Sequence, residues 1–487
     1  MYKLLLILKY LRKRRIAWVS LIAVTLCTAM VLVVISIMGG WLRMFLETNH
    51  GVGGDVVIYG RSDSGFGHYE DLLDSLNKMP QVKAAIPVIT TFGIANFAGQ
   101  YQSGVQVKAF GDLNKVGEVN SFQRGLYRQY QEPIDEIEKD STLSRAEKDK
   151  REAEIKARPP SFDKPLDADT YRQYLPGKNF DSSTLSGIIA GTPLIMDKDN
   201  DGSYKRGSYI YHAWVTLSVA DLSTLQSSAP SLPTRNYWIV DDCRMGLYPE
   251  DAKTVYVPFE KLQKDLGMSA QYGVDGTTVI EPAKVSEIQI SLKDGVDVYQ
   301  GRDAIQGVVD ALETKYPFSD PLHVESWDER QAPYISAIVH EKVLLTVLFG
   351  MISIVAVFLV FCIFFMIVVE KTRDIGIIKS VGASNSGVAQ IFIGYGLVIG
   401  FLGAGMGLLV AGLIVHNINT IHAFIAARLG VKIWDPKTYI FDSIPNTMQA
   451  NDVFWIVTIA ILSVLAGALV PAWRASRLSP VEALRWE

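Results

Sequence analysis

Four stretches of the chain are apolar without interruption, and the remainder alternates over shorter periods. The first run, Ile16 to Met38, carries no charge; at about 1.5 Å per helical residue it reaches roughly 34 Å, enough to cross a bilayer core. Three more lie at Val343 to Val369, Val388 to Val415 and Val453 to Val470. Each predicts a membrane-spanning helix. Between the first and second runs, Asp55 to Tyr59, Ile94 to Phe97, Tyr209 to Val219, Thr254 to Val257 and Glu287 to Leu292 are β-branched or aromatic segments bounded by Gly, Asp or Pro, which predicts strands. Asp71 to Met79 and Arg302 to Tyr316 space their apolar residues as helices do. The fold class expected is an α-helical membrane protein with four transmembrane helices and a large α+β domain between the first and second.

The short flanks set the orientation, because Lys and Arg concentrate on the cytoplasmic side. Lys3, Lys9, Arg12, Lys13, Arg14 and Arg15 precede the first run; Lys371, Arg373 and Lys379 follow the second; Arg474, Arg477 and Arg485 follow the fourth. With four spans these flanks share one side, so both termini are expected in the cytoplasm. The basic start also resembles a secretory signal, but Met38-Gly39-Gly40-Trp41 lacks a small-residue cleavage pattern and an uncleaved anchor is expected. The expected organisation is a cytoplasmic amphipathic segment 1–15, spans 16–38, 343–369, 388–415 and 453–470, an exported domain 39–340, a cytoplasmic segment 370–387, an external loop 416–452 and a cytoplasmic C-terminal helix within 471–487. Trp41 and Trp455 near the outer boundary and Trp473 and Trp486 near the inner one suit interfacial anchors.

Within the exported domain, residues 132–158 carry nine acids and seven bases among few apolar residues. Such a segment buries little. Ser144 and Glu147 form a capping-box pattern, and Glu147/Arg151, Glu152/Lys156 and Glu154/Arg158 have i,i+4 spacing, so a solvated helix is expected. Its readings are a solvent-facing excursion and a partner-docking arm. Asp197-x-Asp199-x-Asp201-Gly202 copies half of a calcium loop, but Ser208 stands where the bidentate Glu belongs, and an ordinary Asp/Gly turn is expected.

Composition removes several function classes. Lys and Arg total 47 against 51 Asp and Glu, a net charge of -4, so no nucleic-acid partner is expected. Cys27 and Cys362 lie in apolar runs, and Cys243 alone builds neither a disulfide framework nor a cysteine zinc site. The chain contains no G-x-x-x-x-G-K-[ST] loop, no H-E-x-x-H and no G-x-S-x-G, and no catalytic, metal or cofactor-binding residues are expected.

The remaining signals are mechanical. After the second run, Arg373, Asp374, Ile375, Gly376, Ile377 and Lys379 form a short amphipathic segment that closes on Gly382-Ala383, with Gly382 as C-terminal cap. It reads either as an interfacial hairpin that reverses the chain or as a surface gripped by a soluble motor. Ser336 to Thr372 contains no proline and only Gly350, so one helix of roughly 55 Å is expected there. In the third run Gly396-x-x-x-Gly400 and Gly403-x-x-x-Gly407 permit close helix approach, inside the chain or between subunits. Pro471 is expected to close the fourth run, and Ser479-Pro480-Val481-Glu482 to start a terminal helix over Pro480 to Trp486.

Lys9-Tyr10-Leu11-Arg12, Glu370-Lys371-Thr372-Arg373-Asp374-Ile375-Gly376-Ile377 with Val381-Gly382-Ala383-Ser384, and Pro471-Ala472-Trp473-Arg474-Ala475-Ser476-Arg477 leading to Pro480-Val481-Glu482-Ala483-Leu484-Arg485 resemble the FtsX/MacB-like ABC transporter permeases, the lipoprotein-releasing LolC/LolE type above all. The resemblance implies a non-catalytic permease subunit in a bacterial inner membrane, with a MacB-like periplasmic domain. It implies that Arg373 to Ser384 includes the coupling helix for a cytoplasmic ABC ATPase present in two copies, which holds ATP and Mg. It also implies a second permease subunit, identical or not, and lipoprotein cargo drawn from the outer leaflet by mechanotransmission, with a periplasmic chaperone as a possible acceptor. MacB-like export of peptides or small molecules and FtsX-like signalling to a cell-wall hydrolase are the alternatives within the resemblance.

Overall fold

The computed structural model describes residues 15–62, 64–98, 101–163, 186–196, 204, 213–224, 231–273, 278–316, 321–429, 444–479 and 481. Its longer elements are α1 (Arg15–Gly53), β1 (Val56–Tyr59), α2 (Tyr69–Asn77), β2 (Val82–Phe97), β3 (Tyr101–Phe110), α3 (Glu132–Lys139), α4 (Arg145–Lys156), β4 (Ser186–Gly191), β5 (Trp214–Val219), β6 (Thr234–Cys243), β7 (Thr254–Tyr256), β8 (Gln271–Tyr272), β9 (Val279–Glu281), β10 (Glu287–Leu292), α5 (Val298–Lys315), β11 (His323–Ser326), α6 (Ala332–Glu370), α7 (Thr372–Ser380), α8 (Asn385–His416), α9 (Ile418–Leu429) and α10 (Ala450–Arg477). Two compact units result, a helical one from Met1–Met44, Tyr334–Trp434 and Ser443–Glu487, and a sheet unit from Phe45–Pro333. The calcium-like turn, Lys9 to Arg12 and most of the terminal helix fall outside the described residues.

In the sheet unit nine strands run in the order β11-β1-β10-β2-β3-β7-β4-β6-β5, and β5 also pairs with β2. Strand β2 is the reason. Its first half pairs with β10 through Val88↔Glu287, and its second half with β5 through Gly93↔Val219, so one long strand belongs both to an open sheet and to a closed ring. At the crossing, a Cβ on Gly93 would lie 2.8 Å from the Ser218 carbonyl oxygen, which only glycine avoids. Period-two alternation gives this sheet two apolar faces. Val56, Ile58, Ile288 and Ile290 pack under α2 and α5, whereas Ile86, Val88 and Tyr256 face Phe122 and Leu126. The expected strand Ile94 to Phe97 is therefore the end of a much longer one. Asp297 caps α5 by accepting from the amides of Tyr299 and Gln300, each at 3.1 Å.

The charged insertion folds as the hairpin α3–α4, and the Ser144–Glu147 capping box forms. Glu152 pairs with Lys156, and Arg145 with Asp149. The expected Glu154/Arg158 pair has no helix to hold it, because α4 ends at Lys156. The segment buries little, as expected, and Ile155 is its one buried residue. Ile155 is buried against Phe122, Leu126 and Tyr130, with Ile134 and Ile137 packed beside it, and the Arg158 carbonyl accepts from Tyr130 Oη and Gln123 Nε2. Three isoleucines spread among sixteen charges suffice to dock the hairpin.

In the helical unit, α6 runs unbroken through Gly350 and spans roughly 58 Å at 1.5 Å per residue. Helix α1 continues well past Met38, and α9 occupies part of the expected external loop. The largest departure is Pro471, which lies inside α10 rather than ending it. Proline removes one backbone hydrogen bond, but Ala468, Ala472 and Ala475 around it are fully buried. Packing on both sides of the ring keeps the helix in register until Arg477.

Candidate coupling surface

Helix α6 ends at Glu370, and Lys371 turns the chain into α7. The end of α7 is set by a Schellman motif: the Ala383 amide donates to the Ile378 carbonyl at 3.2 Å and the Gly382 amide to that of Lys379 at 3.0 Å. Gly382 takes φ of 103°, in the region glycine alone adopts freely. Ser384 then caps α8, accepting from the Gly387 amide at 3.1 Å. Local sequence therefore dictates a nine-residue helix between two sharp turns.

Tertiary packing divides the sequence-predicted residues into two faces. Ile375 and Gly376 are buried, and Ile375 joins the cluster of Ile367, Val368, Val388, Ile391 and Ala475, with Ala383 half-buried against it. Lys379 also points inward: its Nζ donates to the carbonyls of Ser476 and Leu478 at 2.8 and 2.7 Å. These are orphan carbonyls at the end of α10, where a cation is favoured by the helix dipole. Asp374 pairs with Lys371. Arg373, Ile377 and Gly382 face outward, together with Val381, which is 85% exposed. Arg373, Ile377 and Val381 are spaced four apart and all three are exposed. Sequence reading named Ile377 as a candidate contact and Val381 only within the family motif, although the same i,i+4 spacing marks it. It also took Lys379 for part of the outer surface, and only the position of α10 shows it to be an anchor.

The glycines of α8 meet other helices of the same unit. A Cβ on Gly396 would touch Ala468 Cβ at 3.0 Å, and one on Gly400 would sit 3.6 Å from Val464, both on α10. Gly403 and Gly407 face α1 instead, where the added Cβ would lie 2.7 Å from Val24 and 2.8 Å from Thr28. Missing side chains thus let α8 approach two neighbours closely. Near the end of α10, Arg474 stacks over Phe365 at 4.8 Å and Arg477 over Trp473 at 4.2 Å, placing two cations one turn from α7's anchor.

Comparison with known proteins bears on this same region. Residues 346–480 match the family model described as FtsX-like permease C-terminal. The chain is 30% identical over 167 residues to the lipoprotein-releasing system transmembrane protein LolC of Xylella fastidiosa strain 9a5c, covering 34% of this chain and 40% of that protein. It is 32% identical over 168 residues to LolC of Neisseria meningitidis serogroup B strain MC58, with 34% and 40% covered. The macrolide export ATP-binding/permease protein MacB of Syntrophobacter fumaroxidans is 28% identical over 120 residues, 25% of this chain and 14% of that one. The alignments span about two fifths of the length of the two LolC relatives. The solved periplasmic region of MacB from Actinobacillus actinomycetemcomitans aligns over 60% of this chain and 97% of its own, at 10% identity and a TM-score of 0.28. Residues 346–480, with their two-faced α7 and glycine-packed α8, match an FtsX-like permease domain, and the chain is similar to LolC proteins over about a third of its length and to a MacB protein over a quarter.

Proposed function

We propose that this chain is a permease subunit of an ABC transporter in a bacterial inner membrane, and that it uses ATP hydrolysed by a separate subunit to release lipoproteins from the outer leaflet. The observation that carries the reading is the division of α7 into two faces. Its inner face is tied through Ile375 and Lys379 to the core and to the end of α10, so a push on the outer face of Arg373, Ile377 and Val381 is delivered to helices rather than absorbed by a loose loop. In this reading the outer face seats the partner ATPase, which holds ATP and Mg, and the unbroken α6 carries the stroke away from the membrane surface by mechanotransmission. Both termini are cytoplasmic, the sheet unit is periplasmic, and a second permease subunit completes the transporter. The names of the LolC relatives support lipoproteins as cargo; export of a small molecule, as in the name of the MacB relative, is the alternative.

The test is co-purification from mildly solubilised membranes, with ATPase activity measured alongside. The expectation is an ATPase retained with acylated lipoproteins that leave when ATP is added. Arg373→Glu and Ile377→Asp lose the ATPase while the permease stays in the membrane, by about tenfold for each outward contact removed. Gly376→Trp also impairs coupling, but by disrupting the buried face. Retention of a cell-wall hydrolase with no lipidated cargo, or normal coupling in both outward variants, overturns the proposal.

A further inference from the structure

The helical unit contains a partly open cavity of about 320 Å³ lined by α1, α6 and α10. From Val24 to Ile35 on α1 and from Asp452 to Val464 on α10 its walls run for roughly 17 to 18 Å. Half of a 30 Å hydrocarbon core is about 15 Å, so these walls are long enough for one acyl chain, and on α6 the lining runs further, from Lys342 to Val360, about 27 Å. The lining is mostly apolar, including Val31, Phe349 and Ile456, and Trp455 and Ile459 on its wall are exposed at the helix flank. One end is different. There Lys342 Nζ lies 3.6 Å from Asp452 Oδ2, a separation too long for a hydrogen bond, and Asp452 Oδ2 accepts none among the described residues although it is buried. Gly39 adjoins the pair: a Cβ there would lie 3.4 Å from Asp452 Oδ2 and 3.7 Å from Lys342 Nζ.

A mostly apolar cavity is a poor site for water, and left empty its walls lose dispersion contacts. Its polar end presents a cation and an anion side by side, and the anion's Oδ2 accepts no hydrogen bond among the described residues. We infer that this cavity binds one acyl chain of a bilayer phospholipid with a zwitterionic phosphoethanolamine headgroup. The phosphate accepts from Lys342, and the primary ammonium donates to Asp452. Such a lipid seats among α1, α6 and α10, the helices that a power stroke must move past one another. The inference rests on the reading of these helices as membrane spans given above.

The full chain is reconstituted in nanodiscs with phosphatidylethanolamine bearing a photoactivatable acyl chain, and labelled residues are located by mass spectrometry. Matched phosphatidylcholine, phosphatidylglycerol and a triacylated lipopeptide serve as separate probes. Labelling at Val31, Phe349 and Ile456 is expected with the ethanolamine lipid and about tenfold less with the choline lipid, whose quaternary ammonium cannot donate to Asp452. Lys342→Met and Asp452→Asn each reduce labelling similarly. Gly350 lines the cavity and an added Cβ there meets nothing within 4 Å, so Gly350→Leu adds bulk at the wall without a clash and is expected to abolish labelling. Equal labelling by all phospholipids, or labelling that survives Gly350→Leu, reduces the site to ordinary lipid contact and overturns the inference. Preferential labelling by the lipopeptide overturns it in favour of cargo. Loss of ATPase coupling in the α7 variants is read separately, so either proposal falls without the other.

Discussion

The helical unit and the sheet unit expose and bury their large apolar residues differently. In α8 and α10 the fully buried positions include Ala404, Ala411, Ala468 and Ala472, while Phe401, Leu409 and Leu413 look outward at 61 to 68% exposure. In the sheet unit Leu72, Ile86 and Ile305 are completely buried, and so are the carboxylates Asp241 and Asp242. Where the surroundings are as apolar as leucine, burying leucine gains nothing, and small residues win contacts by close backbone approach. In water the removal of large apolar side chains drives folding. Carboxylates then enter the core only where amides and hydroxyls meet them: Asp241 accepts from the amides of Arg128 and Gln129 at 2.8 and 3.0 Å, and Asp242 from Thr192 Oγ1 at 2.6 Å. Burial still pushes the Asp241 carboxyl up to about 7.

The largest test of this contrast is Gly407→Leu. Its side chain would run into Thr28 and the Thr25 carbonyl on α1, and overpacking of this kind costs about 1–3 kcal/mol or more. Thermal unfolding of the detergent-solubilised chain should drop sharply, whereas Leu409→Ala, two residues away and 68% exposed, should change it little. Equal losses from both would end the small-residue account.

A smaller effect is expected in the sheet unit from Glu287→Ala. Glu287 is buried and receives Arg330 Nη2 at 2.7 Å and Gln289 Nε2 at 2.8 Å. Removing it leaves Arg330 unpaired, but that side chain is 40% exposed and partly solvated, so the cost is about 1–2 kcal/mol, read as faster amide exchange in β1, β10 and β11. Burial alone would raise the Glu287 carboxyl, but the charges of Arg330 and Lys108 outweigh it and hold the group below its ordinary 4.5. A lowered carboxyl stabilises the fold above the unfolded value, and that contribution is lost as pH falls through the folded one. Protection in these strands should therefore decline below pH 4.5 in the parent chain and not in Glu287→Ala.

Smallest is Ser144→Ala, which removes the cap of α4 and costs about 1 kcal/mol. Exchange should quicken within α4 only, since Ile155 still docks the hairpin. A change reaching β2 or β10 would mean the insertion supports the sheet.

Much of this was legible along the chain. The four apolar helices, β1, β10, α2, α5 and the cap at Gly382 all follow from local period and turn chemistry, because each is decided by residues within a few positions of one another. Legibility failed where a distant partner decided. Pro471 reads as a helix stop until the buried alanines beside it are seen, and Ile94 to Phe97 reads as a short strand until β10 and β5 claim its two halves. The outer surface of α7 was partly visible, through Arg373 and Ile377, but Lys379 could be assigned to its inner face only once Ser476 and Leu478 stood beside it.

What the sequence by itself determined is the list of elements and the two solvents they suit, since hydrophobic period and run length depend on nothing but order along the chain. The tertiary structure alone decided which face of α7 is free and which helix each glycine of α8 meets. It also decided that Lys342 and Asp452, 110 positions apart, stand together at the end of one cavity. Those outcomes depend on backbones brought together from distant positions, and local propensity carries no information about that distance.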